Sequence, residues 1–220
     1  VRIGAVLRTT VTLLQRHPVG ILLATLGLAV LDSALEIASG DATLSFVGSV
    51  VAIAVVYLVL RDLLRREDMV VQEGAFSGYF GASVLSSLGI VVGLLLLIVP
   101  GLYLMGRWSL ASAMVLTRGA RAGEALRESW SATRACAWKL VLLYTLCFVG
   151  WLIVCALLAG GGSLLAIAVF GAADAIDTSP VFIFLLNVAV DFGVVAGAYL
   201  SVAVYAHVSG SHDGFQDVFA

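Results

Sequence analysis

Apolar residues along this chain come in runs too long for the core of a soluble domain, and polar residues gather in the gaps between them. The longest run, Val84 to Thr117, is interrupted once, at Pro100-Gly101. As a single helix it would extend about 51 Å, against a hydrocarbon core of roughly 30 Å. Proline removes a backbone donor and disfavours helix at the residue before it, and glycine tolerates turn geometry. The pattern therefore predicts a tight helical hairpin with its tip at Pro100-Gly101, its arms forming the third and fourth spans. Tyr79 and Phe80 stand where an aromatic belt would open the third.

The other runs obey the same logic. Val1 to His17 places Ile3, Leu7, Val11 and Leu14 on one helical face with Arg2, Thr9, Thr12 and Arg16 off it, which predicts an interfacial helix on the cytoplasmic leaflet. After Pro18 a first span runs from about Val19 to Ala38. Ser39-Gly40-Asp41 is a turn, and a second span covers about Leu44 to Leu64. Arg118 to Trp138 is amphipathic, with Ala122, Ala125, Leu126, Trp130 and Thr133 on one face, and reads as a second interfacial helix over Gly123 to Cys136. A fifth span, Leu140 to Ala159, is expected to stop at Gly160-Gly161-Gly162, leaving Ser163 to Gly171 as a short apolar piece at the outer surface. Asp177-Thr178-Ser179-Pro180 is a helix start, with capping oxygens before a first-turn proline, and it opens a sixth span reaching about His207. The tail at 210–220 is polar and reads as flexible.

Composition turns this pattern into a class. Hydrophobic residues make up 61% of the 220 and charged residues 12%, a balance no soluble fold of this size can bury. The expectation is an all-α integral membrane protein with six transmembrane helices in a single domain, 1–220. The charges also assign an orientation. Every Lys and Arg except Arg107 falls at Arg2–Arg16, at Arg61–Arg66 or at Arg118–Lys139, whereas two other segments carry acids without any base, one with Asp32, Glu36 and Asp41 and one with Asp174 and Asp177. By the positive-inside rule the basic groups face the cytoplasm, as do both termini, in a bacterial inner membrane. The first apolar run begins only after Pro18 and leads into acidic residues rather than a small-residue cleavage site, so no cleavable signal is read at the start. Cys136, Cys147 and Cys155 lie in or beside apolar helix without CxxC spacing and read as free buried thiols.

Across the hairpin and the helix after it, Ile98-Val99-Pro100-Gly101-Leu102-Tyr103-Leu104, then Arg107-Trp108, then Glu124-Ala125-Leu126-Arg127-Glu128-Ser129-Trp130, the chain resembles a family of six-helix bacterial inner-membrane domains. That family includes the membrane domain fused ahead of some glycerophosphodiester phosphodiesterases, together with stand-alone, uncharacterised relatives. The Ile3 to Pro18 opening is similar in style. As motif the likeness covers about Leu97 to Trp138; as topology it covers most of the chain. It implies architecture and not activity, because the chemistry of the fused enzymes belongs to a separate soluble barrel. His17, His207 and His212 have no ligand spacing with any acid, so no catalytic residue carries over.

Candidate chemistry is confined to charges inside the apolar runs. There is no GxSxG, Walker loop or HExxH. Gly89-x-x-x-Gly93 and Gly193-x-x-x-Gly197 have helix-packing spacing, but with 23 glycines such pairs arise readily by chance. Arg107 lies one to two turns from the hairpin tip, Asp191 lies near the middle of the sixth span, and Asp32 and Glu36 share a face near the outer end of the first. A charge at the bilayer centre costs about 2.5–3.5 kcal/mol on insertion scales, so these residues should pair or line a wet cavity. Arg107 is expected to be held by a carboxylate, Asp191 before Asp32 or Glu36. The function expected is non-enzymatic, without cofactor, metal or nucleic acid, through contacts with membrane lipids or a protein partner in the membrane. The rival is a small transporter or channel built on Asp32, Glu36, Arg107 and Asp191, against which stands the lack of an internal repeat. A membrane enzyme acting on lipid is the third reading, opposed by the lack of any His–carboxylate cluster.

Overall fold

The computed structural model describes residues 2–39, 42–170 and 180–208, and every structural statement below concerns these. The expected turn at Gly40-Asp41, the acids Asp174 and Asp177, the helix start before Pro180 and the tail after Val208 lie outside them. The described residues form helices and no strands: α1 (Ile3–Arg16), α2 (Pro18–Ser39), α3 (Ala42–Arg66), α4 (Phe76–Leu96), α5 (Ile98–Trp108), α6 (Ala111–Arg118), α7 (Ala122–Ala132), a 3-10 turn at Arg134–Cys136, α8 (Ala137–Phe170) and α9 (Pro180–Val208). Among the described residues, α2, α3, α4, α8 and α9 each contain a stretch long and apolar enough to cross a membrane. The chain is a multi-pass helical membrane protein.

The spine is α9, on which α1, α2, α3 and α8 all pack; α5 packs on α4 and α8. Burial is concentrated at one end. There Val6 and Leu13 of α1, Leu60, Leu63 and Leu64 of α3, Leu110 and most of α6, Leu140 and Leu143 of α8, and Leu200 to Ala206 of α9 form one core. At the far end the flanks of α8 and α9 stand open, with Leu157 at 70% and Val181 at 68% exposure. Uncovered apolar flanks of this length belong in lipid.

The structure corrects the sequence reading at several places. The turn between α4 and α5 is at Leu97, whose backbone is extended (φ −161°, ψ 139°), and not at Pro100-Gly101. Pro100 sits in the first turn of α5, where its missing N–H would have lacked a helical partner anyway. Gly101 is needed for a different reason: the arms touch. A Cβ on Gly93 would lie 2.9 Å from Gly101 Cα, and one on Gly101 would lie 2.7 Å from the Leu94 nitrogen. Farther from the tip the ring of Trp108 lies on Gly89 and Val115 lies against Gly78, so α5 and α6 return along the whole length of α4. The returning arm is not one continuous span, because it breaks at Ser109-Leu110 between α5 and α6.

Two further expectations change. Helix α8 runs through Gly160-Gly161-Gly162 for 34 residues instead of stopping there. Glycine costs a helix about 1 kcal/mol relative to alanine, but an unpaired backbone in lipid costs more, and Gly162 makes room for the ring of Phe182 on α9. In α1 the buried stripe is Val6, Thr9, Thr10 and Leu13, while Leu7 and Val11 are exposed. The buried stripe faces α9, leaving the more apolar stripe for lipid. Helix α7 ends at Ala132, short of the expected Cys136, and packs on α4 and α6 through Ala125 and Ser129.

Candidate functional site

Two groups of buried polar side chains lie on different parts of the bundle, and the structure separates residues that the sequence reading had joined. The first surrounds Arg107, in the last turn of α5 and only 3% exposed. Its neighbour Gly106 brings the backbone against α8: a Cβ there would lie 3.0 Å from the Val141 nitrogen. This contact draws Arg107 inside. The guanidinium carbon lies 4.2 Å from the ring centroid of Trp130 and 5.8 Å from that of Tyr103. Tyr103 in turn meets Trp130 edge-on at 5.7 Å and Trp138 at 5.8 Å, so two rings lie beside the cation and a third backs them.

The break after α5 is stitched by α7. The Ser129 hydroxyl donates to the Arg107 carbonyl at 2.7 Å and accepts from the Leu110 N–H at 3.3 Å. The Thr133 hydroxyl donates to the Ser129 carbonyl at 2.7 Å and stands 3.4 Å from the Arg107 carbonyl. Backbone groups freed by the interruption are thereby satisfied, as a buried break requires. The side chain is another matter: Nε and Nη1 of Arg107 are buried and have no hydrogen-bond partner among the described residues.

The second group lies between α2 and α9. Asp191 is 4% exposed, and its Oδ2 is buried without a hydrogen-bond partner among the described residues. The charge of Asp32 acts on Asp191, and that of Glu36 on Asp32. Asn187 donates from Nδ2 to the Ser33 hydroxyl at 3.1 Å and to Glu36 Oε2 at 3.3 Å. Gly48 of α3 leaves the space that the Asp32 carboxylate and Leu35 occupy. Below, the Trp151 indole donates to the Ala189 carbonyl at 3.1 Å and covers Gly193.

Asp32, Glu36 and Asp191 thus come together, and Arg107 does not join them. Ion pairs among the described residues include His17–Glu67 at 3.4 Å, Arg66–Asp62 at 2.6 Å and Arg118–Glu128 at 3.3 Å, and none of these involves the four. The expected Arg107–Asp191 pair is absent because α5 packs on α4 and α8, whereas Asp191 faces α2. Among the described residues no three His, Cys, Asp or Glu side chains converge to hold a metal ion. Sequence reasoning missed Asn187, Ser33, Ser129, Thr133 and Tyr103. Asn187 and Ser129 could have been found, since each stands four residues before another polar group, Asp191 and Thr133, on one helical face.

Comparison with models of known protein families, with characterised proteins and with solved structures finds no match to this chain.

Proposed function

We propose that this is a non-enzymatic protein of the bacterial cytoplasmic membrane that acts through contacts with lipid, and that the α4–α5 hairpin makes those contacts. The proposal has both termini in the cytoplasm, and the lysine and arginine distribution supports this. The likeness of Leu97 to Trp138 to the six-helix domains named above supports the same architecture. A membrane-embedded protein partner is compatible with it too.

The observation that carries the reading is the hairpin tip. Leu95, Leu96, Leu97, Ile98 and Val99 are 81%, 73%, 68%, 67% and 65% exposed, and from Leu88 to Leu102 no polar side chain interrupts the sequence. A turn that emerged into water on the far side would expose all of this to solvent, at a cost of roughly 25 cal/mol per Å². The tip therefore stops inside the bilayer. From Leu97 to Arg107 the helix rises about 15 Å, half of a hydrocarbon core of roughly 30 Å. A tip near the midplane brings Arg107, Trp130 and Trp138 to the headgroup boundary, where tryptophan collects and a cation is tolerated. A tip in outer water would instead leave Arg107 at mid-bilayer. The chain on either side of the hairpin keeps the same sidedness in both arrangements, so this changes the depth of the turn and nothing else in the orientation.

The transporter alternative, built on Asp32, Glu36, Arg107 and Asp191 as one group, loses its cation, because Arg107 stands apart from the acids, against Trp130. A spin label on Leu97→Cys, with Cys136, Cys147 and Cys155 replaced by serine, tests the proposal in liposomes. Quenching by a lipid-soluble reagent and protection from aqueous ones on both sides is expected. Aqueous access from the side opposite Arg66 would show a full crossing and remove the hairpin as the lipid-contacting element.

A further inference from the structure

The buried surroundings of Arg107 have an electrostatic and hydrogen-bonding deficit that the described residues do not make good. The guanidinium carbon lies over the rings of Trp130 and Tyr103, a contact that offsets the charge but gives Nε and Nη1 no conventional hydrogen-bond acceptor. The neighbouring hydroxyls of Ser129 and Thr133 turn to backbone carbonyls, and neither accepts from Nε or Nη1. Among the described residues no carboxylate reaches the site, the acids of α2 and α9 being elsewhere. A buried guanidinium with open donors calls for a planar or tetrahedral oxyanion, which Arg binds through paired N–H bonds.

The surroundings select among oxyanions. Arg107 lies at the base of an apolar hairpin, and Trp138, which packs on its neighbour Tyr103, is 72% exposed, so the surroundings of the site are greasy and aromatic rather than hydrated. A free anion would have to shed its water to enter. A phosphodiester carried on two acyl chains arrives with apolar groups that match Leu88, Leu95 and Leu96 on the same hairpin, exposed by 61%, 81% and 73%. With the tip near the bilayer centre, the drop of about 15 Å from Leu97 to Arg107 equals the depth of one leaflet's acyl chains.

We propose that Arg107 is the headgroup site for a phospholipid of the inner leaflet. Its Nε and Nη1 bind the lipid phosphate beside Trp130 while the acyl chains lie along the α4–α5 hairpin. This rests on the lipid-contact reading above and adds a residue and a chemical class to it. The bound phosphate neutralises the cation without a protein acid, which explains why the sequence sends none to the site.

The test uses the full chain in a neutral detergent, titrated with dioleoyl-phosphatidylglycerol or with dioleoylglycerol, which has the same chains and no phosphate, and read by native mass spectrometry. The wild type should retain the phospholipid over the neutral lipid. Arg107→Gln should bind the phospholipid at least roughly tenfold more weakly, and Arg107→Lys should fall between, having a charge but no fork. Arg127→Gln, an exposed arginine on α7, should match the wild type. If Arg107→Gln does not fold, Arg107→Lys carries the test alone. Undiminished phospholipid binding by every Arg107 variant that folds overturns the proposal while leaving the broader lipid reading intact. Failure of the wild type to retain either lipid overturns both. Displacement of the phospholipid by millimolar inorganic phosphate would make the site one for a free anion and overturn the lipid assignment.

Discussion

Arg107 and Asp191 are buried to nearly the same degree, 3% and 4% exposed, and each leaves polar atoms without a partner among the described residues. Their surroundings are opposite in kind. The guanidinium is a flat, delocalised cation that aromatic faces can cover, and Tyr103 and Trp130 do so. The carboxylate of Asp191 has no such cover; its charged neighbour Asp32 carries the same sign. A cation in this bundle is made tolerable by packing, whereas on the acidic side the amide of Asn187 donates to Glu36 and Oδ2 of Asp191 is left without a partner among the described residues. Burial alone therefore did not decide which charges meet. The helix on which each stands, and what packs on it, decided it.

The largest effect should come from taking the aromatic cover away. Trp130→Ala is expected to lower folded stability in detergent by about 3 kcal/mol, from a lost large side chain and a cation left bare. Thermal unfolding followed by fluorescence or by aggregation reads this directly. A loss below about 1 kcal/mol would mean the ring is ornamental to Arg107. Next comes the stitch across the helix break. Ser129→Ala strands the Leu110 N–H and removes the closer donor to the Arg107 carbonyl, so a loss of about 2 kcal/mol is expected in the same assay.

On the acidic side the sign reverses. Asp191→Asn keeps the shape and deletes the charge beside Asp32, and a gain of about 1 kcal/mol at neutral pH is expected. A clear loss would show that a cation holds this carboxylate, and the contrast between the two regions would collapse. The smallest effect is a coupling. Arg107→Ala and Asp191→Ala should be additive to within about 0.5 kcal/mol in a double-mutant cycle, as residues without shared partners are. A coupling well above that would restore the ion pair the sequence suggested.

Much of the architecture was readable because lipid imposes a simple code. Continuous apolar runs put α2, α3, α4, α8 and α9 nearly at their observed places, and Pro100-Gly101 announced that the long run must fold back. What escaped was the geometry that depends on two helices at once. The turn moved to Leu97 because the arms approach at Gly93 and Gly101, a contact no local pattern encodes. Gly160-Gly161-Gly162 reads as a stop in water, yet in α8 the helix continues because Phe182 of another helix needs the room. The site was legible as a set of residues that lipid should reject. It was not legible as a partition, since Arg107 and the acids are sorted by which helices pack together. Ser129 was missed for the same reason: its role exists only because α5 breaks beside α7.

The one-residue turn at Leu97 has a consequence for how the molecule is made. Threading an ordinary pair of spans means hauling a hydrophilic connector through the bilayer, a step that calls for a protein-conducting channel. Here the connector is itself greasy, and the stretch from Leu88 to Leu102 has no charge to drag across. The α4–α5 arm pair can close on its glycines first and then sink into the lipid from one side as a finished wedge. With the tip at the proposed depth, insertion of this segment needs no translocation and is a partitioning event.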